Sequence, residues 1–142
     1  MSSQPRGDIR WDAALAHRPA GAREAVRERF VSAGVEPSDV RAALSDGGDR
    51  LFAAVTSGDE DWAKPFGGPL AVALLAAEVG ALTAHLTSRS SAIRAAAVEM
   101  LLDDFSAVTV AGRLGISRQK VYDIARPAST DSFLEQTPWR AS

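Results

Sequence analysis

SAVTVAGRLGISRQKVYDIAR, residues 106–126, holds two short apolar-striped segments separated by Leu114-Gly115-Ile116. A serine precedes each of them: Ser106 before the segment 107–114, and Ser117 before the segment 118–125. A serine hydroxyl at that place accepts a hydrogen bond from a backbone N–H of the first turn, one of four that a helix start leaves unpaired. The pattern predicts two helices, 107–114 and 118–125, joined by a tight turn. Gly115 suits that turn because it enters the left-handed region without a Cβ clash. Ala111 is small enough for the two helices to cross closely. Leu114, Ile116, Val121 and Ile124 supply apolar contacts around the turn.

Turning Val121, Ile124 and Ala125 inward leaves Gln119, Tyr122, Asp123 and Arg126 on the opposite face, with Arg118 on the flank near the helix start. Arg matches guanine O6/N7 and Gln matches adenine N6/N7. Arg113, Ser117, Lys120 and Tyr122 suit phosphate oxygens, which set register rather than sequence. Asp123 opposes a polyanion and is expected either to accept from cytosine N4 or to restrain Arg126. The candidate DNA-binding residues are therefore Arg113, Ser117, Arg118, Gln119, Lys120, Tyr122 and Arg126.

The piece LGISRQKVY, residues 114–122, resembles the helix-turn-helix of bacterial regulators and of the resolvase/invertase C-terminal DNA-binding domain. With the preceding helix, the resemblance covers residues 91–126 as a homeodomain-like three-helix unit. It implies double-stranded DNA as a partner. It does not carry recombination, because a serine nucleophile among arginines is not recognisable in residues 1–90.

Composition points the same way. Of 142 residues, 46% are hydrophobic but only 6% are aromatic. Ala, Arg and Leu favour helix, and β-branched residues nowhere alternate for long, so the expected class is all-α. The absence of cysteine excludes disulfides, thiolate nucleophiles and Cys-ligated metal. His17 and His85 stand apart, outside any ligand-spaced motif, so neither a cofactor nor a metal is expected and an enzyme is disfavoured. The net charge of −2 is unevenly spread: residues 1–87 carry nine Lys/Arg against twelve Asp/Glu, and residues 88–126 carry six against four. Positive charge thus collects near the candidate reader.

Four regions are expected: a mobile arm (1–19), a helical dimerisation or partner region (20–88), the DNA-binding region (89–126) and a tail (127–142). Trp11, with Ile9 and Leu15, is the one feature of the arm that could dock. A helix over 20–32 carries Ala22, Val26, Phe30 and Val31 on one apolar stripe and ends at Ala33-Gly34. A second, 39–44, has Ser38 as its cap, and a third, 49–56, buries Leu51, Phe52 and Val55. The loop 57–69 contains Trp62 and Phe66, the expected place for a small-molecule effector or protein partner.

Pro69 then opens an apolar run from Leu70 to Leu86, whose strongest residues are Val72, Leu75, Val79, Leu82 and Leu86. Their 3,4 spacing makes a seam for a partner helix. Rows of small residues, Ala73-Ala77-Ala81 and Ala76-Gly80-Ala84, allow a second backbone to approach. Glu78 and His85 argue against a membrane span, and the run is expected to pair two copies in a homodimer with Glu78 and His85 satisfied together. Ser88–Ser91 is expected to break the helix. A new one over 92–104 should carry Ile93, Ala97, Met100 and Leu101 inward, with Val98 and Leu102 widening the stripe. In the tail, Phe133, Leu134 and Trp139 are expected to dock loosely. The N-terminus shows no secretory apolar segment, so the expected location is cytoplasmic, and nucleoid-associated when on DNA.

The expectation is a sequence-specific transcriptional regulator acting as a homodimer on a palindromic site. The alternative is an adaptor or antitoxin-like partner whose helix-turn-helix serves autoregulation or protein contacts.

Overall fold

The structure, a computed structural model, describes residues 6–125. It is all-α, with α1 (Arg6–Ala14), α2 (Ala20–Ser32), α3 (Pro37–Ser45), α4 (Asp49–Val55), a 3₁₀ turn (Lys64–Phe66), α5 (Pro69–Asp104), α6 (Ala107–Leu114) and α7 (Arg118–Ile124). Two compact units divide the described chain: one runs to Ala84, the other starts at His85, and the boundary falls within α5. The tail expected to carry Phe133, Leu134 and Trp139 lies outside the described residues.

In the first unit, residues expected to form a mobile arm are part of the core. Trp11 and Leu15 are buried, and the Trp11 ring stacks on Phe30 of α2 with centroids 5.8 Å apart. Ile9, expected to dock with them, is exposed. The chain leaving α1 is held by Arg23, whose guanidinium donates to the carbonyls of Leu15 (3.1 Å), Arg18 (3.1 Å) and Ala16 (3.3 Å). The Leu15 carbonyl also accepts the Arg18 N–H at 2.9 Å, and Arg23 supplies a side-chain donor to all three carbonyls where the helix has ended.

Glycine ends α2 as its sequence suggests. Gly34 has φ 76°, and the Val35 N–H closes onto Phe30 O at 3.0 Å, the 6→1 bond of a Schellman ending. The cap of α3 differs from expectation. Glu36, not Ser38, precedes the helix, Pro37 is its first residue, and the Glu36 N–H donates to Asp39 at 2.9 Å. Proline at the first helical position loses no hydrogen bond, which lets α3 start two residues earlier. Only Leu51 of α4 is buried. Phe52 and Val55 are exposed, because α4 has two turns and only one of its sides meets the core.

The centre of this unit is charged. Glu78 of α5 is buried, and it is hydrogen-bonded by His17 Nε2 and held bidentately by Arg18, through Nε at 2.8 Å and Nη2 at 2.9 Å. Glu78 was expected to pair with His85, seven residues along the same helix; its partners instead come from the α1–α2 connection. Burial pushes the Glu78 carboxyl up, but hydrogen bonds from Arg18 and His17, together with their charges, outweigh that and hold it at about 2. Arg18 is raised in return, first by its hydrogen bond to Glu78. His17 Nδ1 is buried without a hydrogen-bond partner among the described residues.

The 36-residue α5 is unbroken, so the expected interruption at Ser88–Ser91 does not occur. Serine has only a modest helix penalty, and neither Gly nor Pro is there to stop propagation. On its first half, Ala71, Val72, Leu75, Glu78 and Leu82 face inward, while Leu70, Ala73, Ala76, Ala77, Gly80 and Ala84 are exposed. Among the described helices, α5 is long and apolar enough to cross a membrane. Only 28% of its most apolar 18-residue window is buried within the chain.

Candidate nucleic-acid interface

The second unit forms around the last part of α5, α6 and α7. Its core consists of Ala95, Val98, Ala107, Val110, Ala111, Val121 and Ile124, with Leu101, Leu102, Ile116 and Ala125 packed against it. Ile93, Ala97 and Met100, expected inward, are exposed instead. Two apolar stripes run side by side on this part of α5, and α6 and α7 cover the one through Ala95 and Val98.

Local chemistry fixes how α6 and α7 begin and end. Ser106 Oγ accepts the Thr109 N–H at 3.1 Å, and Ser117 Oγ accepts the Lys120 N–H at 3.0 Å. Gly115 lies in the left-handed region at φ 70°, ψ 34°, and the next residue closes the turn through the Ile116 N–H to Ala111 O bond at 3.0 Å. Ala111 is buried near the middle of α6. Leu114 stays 42% exposed, so Val110, Val121 and Ile124 do most of the packing around the turn.

With Val121 and Ile124 inward, Ser117, Arg118, Gln119, Lys120, Tyr122 and Asp123 all face solvent. Among the described residues, the charged ends of Arg118 and Lys120 make no ion pair. Two other candidates have protein partners. Gln119 Nε2 donates to Asp123 Oδ1 at 3.2 Å across one turn of α7, and the Arg113 guanidinium lies 5.2 Å from the centroid of the Phe105 ring. The first contact holds the Gln119 amide along the helix axis and partly offsets the Asp123 charge. The second is a cation–π contact that orients Arg113 without neutralising it. Arg126 lies outside the described residues.

Three features escaped the sequence. The Ser106 and Thr109 hydroxyls lie 3.0 Å apart at the start of α6, both exposed. The S-x-x-T spacing carried that signal. The Phe105–Arg113 contact spans eight residues and had no periodic signature. The exposed stripe Ile93, Ala97, Met100 was visible as a pattern, but its outward direction depended on tertiary packing.

No protein-family model, no curated protein and no solved structure matches the chain.

Proposed function

We propose that this chain is a sequence-specific DNA-binding regulator, with α7 as the reading helix of a helix-turn-helix. The observation that carries the reading is the exposed face of α7. Arg118, Gln119 and Lys120 stand in its first turn, beyond a capping serine, while Val121 and Ile124 anchor the opposite side. The start of the second helix is the part that enters the major groove in this class. Arg118 and Gln119 would read base edges; Ser117, Lys120 and Tyr122 would set register on phosphates.

The reading includes a homodimer. An α7 of seven residues in a chain of net charge −2 offers few phosphate contacts, and two copies supply twice as many. The uncovered face of α5, with Leu70, Ala73, Ala77, Gly80 and Ala84, supports pairing there. Two readers then address half-sites ~34 Å apart. Light scattering on the full chain should give a dimer mass, and Ala77→Glu should give a monomer that still folds.

The decisive test is a band-shift series against salt, with the chain's own promoter and random DNA. Affinity should fall by ~0.9 log unit per log unit of salt for each phosphate neutralised. A flat salt response, or no preference for the promoter, overturns the reading. The exposed stripe Ile93, Ala97, Met100 favours a second reading, a protein-binding adaptor. Under that reading Met100→Glu abolishes capture of a neighbour-encoded protein, and Arg118→Ala leaves the capture intact.

A further inference from the structure

The first unit contains a concavity of about 340 Å³ between α3, α4, the 3₁₀ turn and α5. Its apolar lining includes Ala43, Leu51 and Leu75, all buried, and the half-buried Phe66. Two cations, Arg50 and Lys64, and two carboxylates, Asp39 and Asp46, also line it. The formal charges cancel, but their commitments differ. Asp46 accepts the N–H groups of Gly48 (2.8 Å) and Arg50 (3.2 Å), one with each oxygen, and Asp39 accepts the Glu36 N–H at 2.9 Å. These carboxylates tie down helix starts, where backbone donors partly offset their charge. Among the described residues, neither the Arg50 guanidinium nor the Lys64 ammonium has a hydrogen bond or ion pair. The concavity therefore offers two solvent-facing cations that no protein group engages, next to the apolar side chains of Leu51, Phe66 and Leu75.

We infer that it binds a small organic anion. The apolar body lies against Leu51, Leu75 and Phe66, and a carboxylate or phosphate group is held by Arg50 and Lys64. The size falls in the ordinary range for small-molecule pockets, which combine apolar lining with a few convergent polar groups. A guanidinium fork fits either anion bidentately, and the lysine adds a point charge. This site belongs wholly to the first unit and needs no property of α7. A chain that binds the anion but not DNA keeps this inference and loses the proposed function; the converse result does the opposite.

Calorimetric titration of the full chain tests it, with 4-phenylbutyrate and phenyl phosphate as anionic probes, 4-phenylbutyramide as neutral control and phenethylamine as cationic control. One-site binding of at least one anion is expected, with the two probes deciding between carboxylate and phosphate. Binding should weaken by about tenfold or more for the neutral control and for Arg50→Gln or Lys64→Gln. Both side chains are exposed, so these variants should keep the wild-type melting temperature. Ala42→Trp provides a second check: Ala42 is exposed on the lining, and an indole there should fill the space while leaving both cations in place. No heat from either anion at millimolar concentration overturns the inference. So does undiminished anion binding in the Arg50, Lys64 and Ala42 variants.

Discussion

In the first unit the core closes around a carboxylate, whereas in the second every buried side chain among the described residues is apolar. Glu78 and His17 are the two buried polar residues among those described, and both lie before Ala84. The core cluster of the second unit consists of three alanines, three valines and an isoleucine. An apolar core degrades gradually as methyl groups are removed. A charge cluster taken out of water depends on every partner being present. The two units should therefore respond differently to single substitutions.

Glu78→Ala should have the largest effect. It leaves half-buried Arg18 and buried His17 without their carboxylate. Losing one partner of a fully buried pair costs about 3–5 kcal/mol, and the access of Arg18 to water puts the expected cost near the lower end of that range. Urea unfolding would measure this, and amide exchange should show the loss in α1, α2 and the first half of α5 before α6 and α7. Replacing the whole set, His17→Leu with Arg18→Met and Glu78→Leu, should recover much of the loss. Without that recovery, the cluster is doing more than balancing charge.

Acid should separate the units in the same way. The Glu78 carboxyl is held at about 2, below the ordinary value of about 4.3. A group whose pKa is depressed by folding stabilises the fold above its unfolded value and loses that contribution as protons bind. The first unit should thus weaken between about pH 4 and pH 2. In Glu78→Gln the urea midpoint should change less over that interval. Equal slopes for the two proteins would assign the acid response to other carboxylates.

Val121→Ala is the matching change in the second unit. Val121 is fully buried. Removing two carbons at about 0.8 kcal/mol each, plus a small cavity term, gives a cost of about 2 kcal/mol. If it proved as damaging as Glu78→Ala, the contrast between a gradual and an all-or-none core would fail.

The same contrast explains what the sequence made legible. The starts and ends of α6 and α7 are set by partners within five residues: Ser106 with Thr109, Ser117 with Lys120, and Ile116 with Ala111. Short-range chemistry of this kind is written in residue order, so the helices, the turn and the inward Val121 and Ile124 could be read directly. The helical class was equally plain from composition. Glu78 was not legible in this way. Its partners lie 60 and 61 residues away, and periodicity had offered His85 on the same helix. Trp11, which draws the N-terminal segment into the core by stacking on Phe30 of α2, likewise acts across a chain distance that spacing does not encode. On the second half of α5 the limit was degeneracy: Ile93-Ala97-Met100 and Ala95-Val98-Leu102 are both apolar stripes, and only the position of α6 and α7 chooses between them.

Gly115→Ala isolates the turn. Nothing lies within 4 Å of an added Cβ, so the cost comes from the backbone at φ 70° alone. A left-handed residue with a side chain costs roughly 1–2 kcal/mol. Unfolding should report that loss, and Gly115→Asn should cost less, because Asn tolerates this region better than Ala.

The smallest effects distinguish a cap from a contact. Ser106 and Ser117 make the same bond, each accepting a backbone N–H three residues on. Each serine-to-alanine change should cost about 1 kcal/mol of stability. On DNA they should diverge. Ser117 adjoins Arg118 at the start of the proposed reading helix, and Ser106 opens the helix before it. Under the proposed function, Ser117→Ala weakens DNA binding beyond what the loss of folded protein explains, and Ser106→Ala serves as the matched control for cap loss. Band shifts at concentrations corrected for folded fraction would separate the two. Equal affinities would confine Ser117 to capping and leave Arg118, Gln119 and Lys120 to carry the interface.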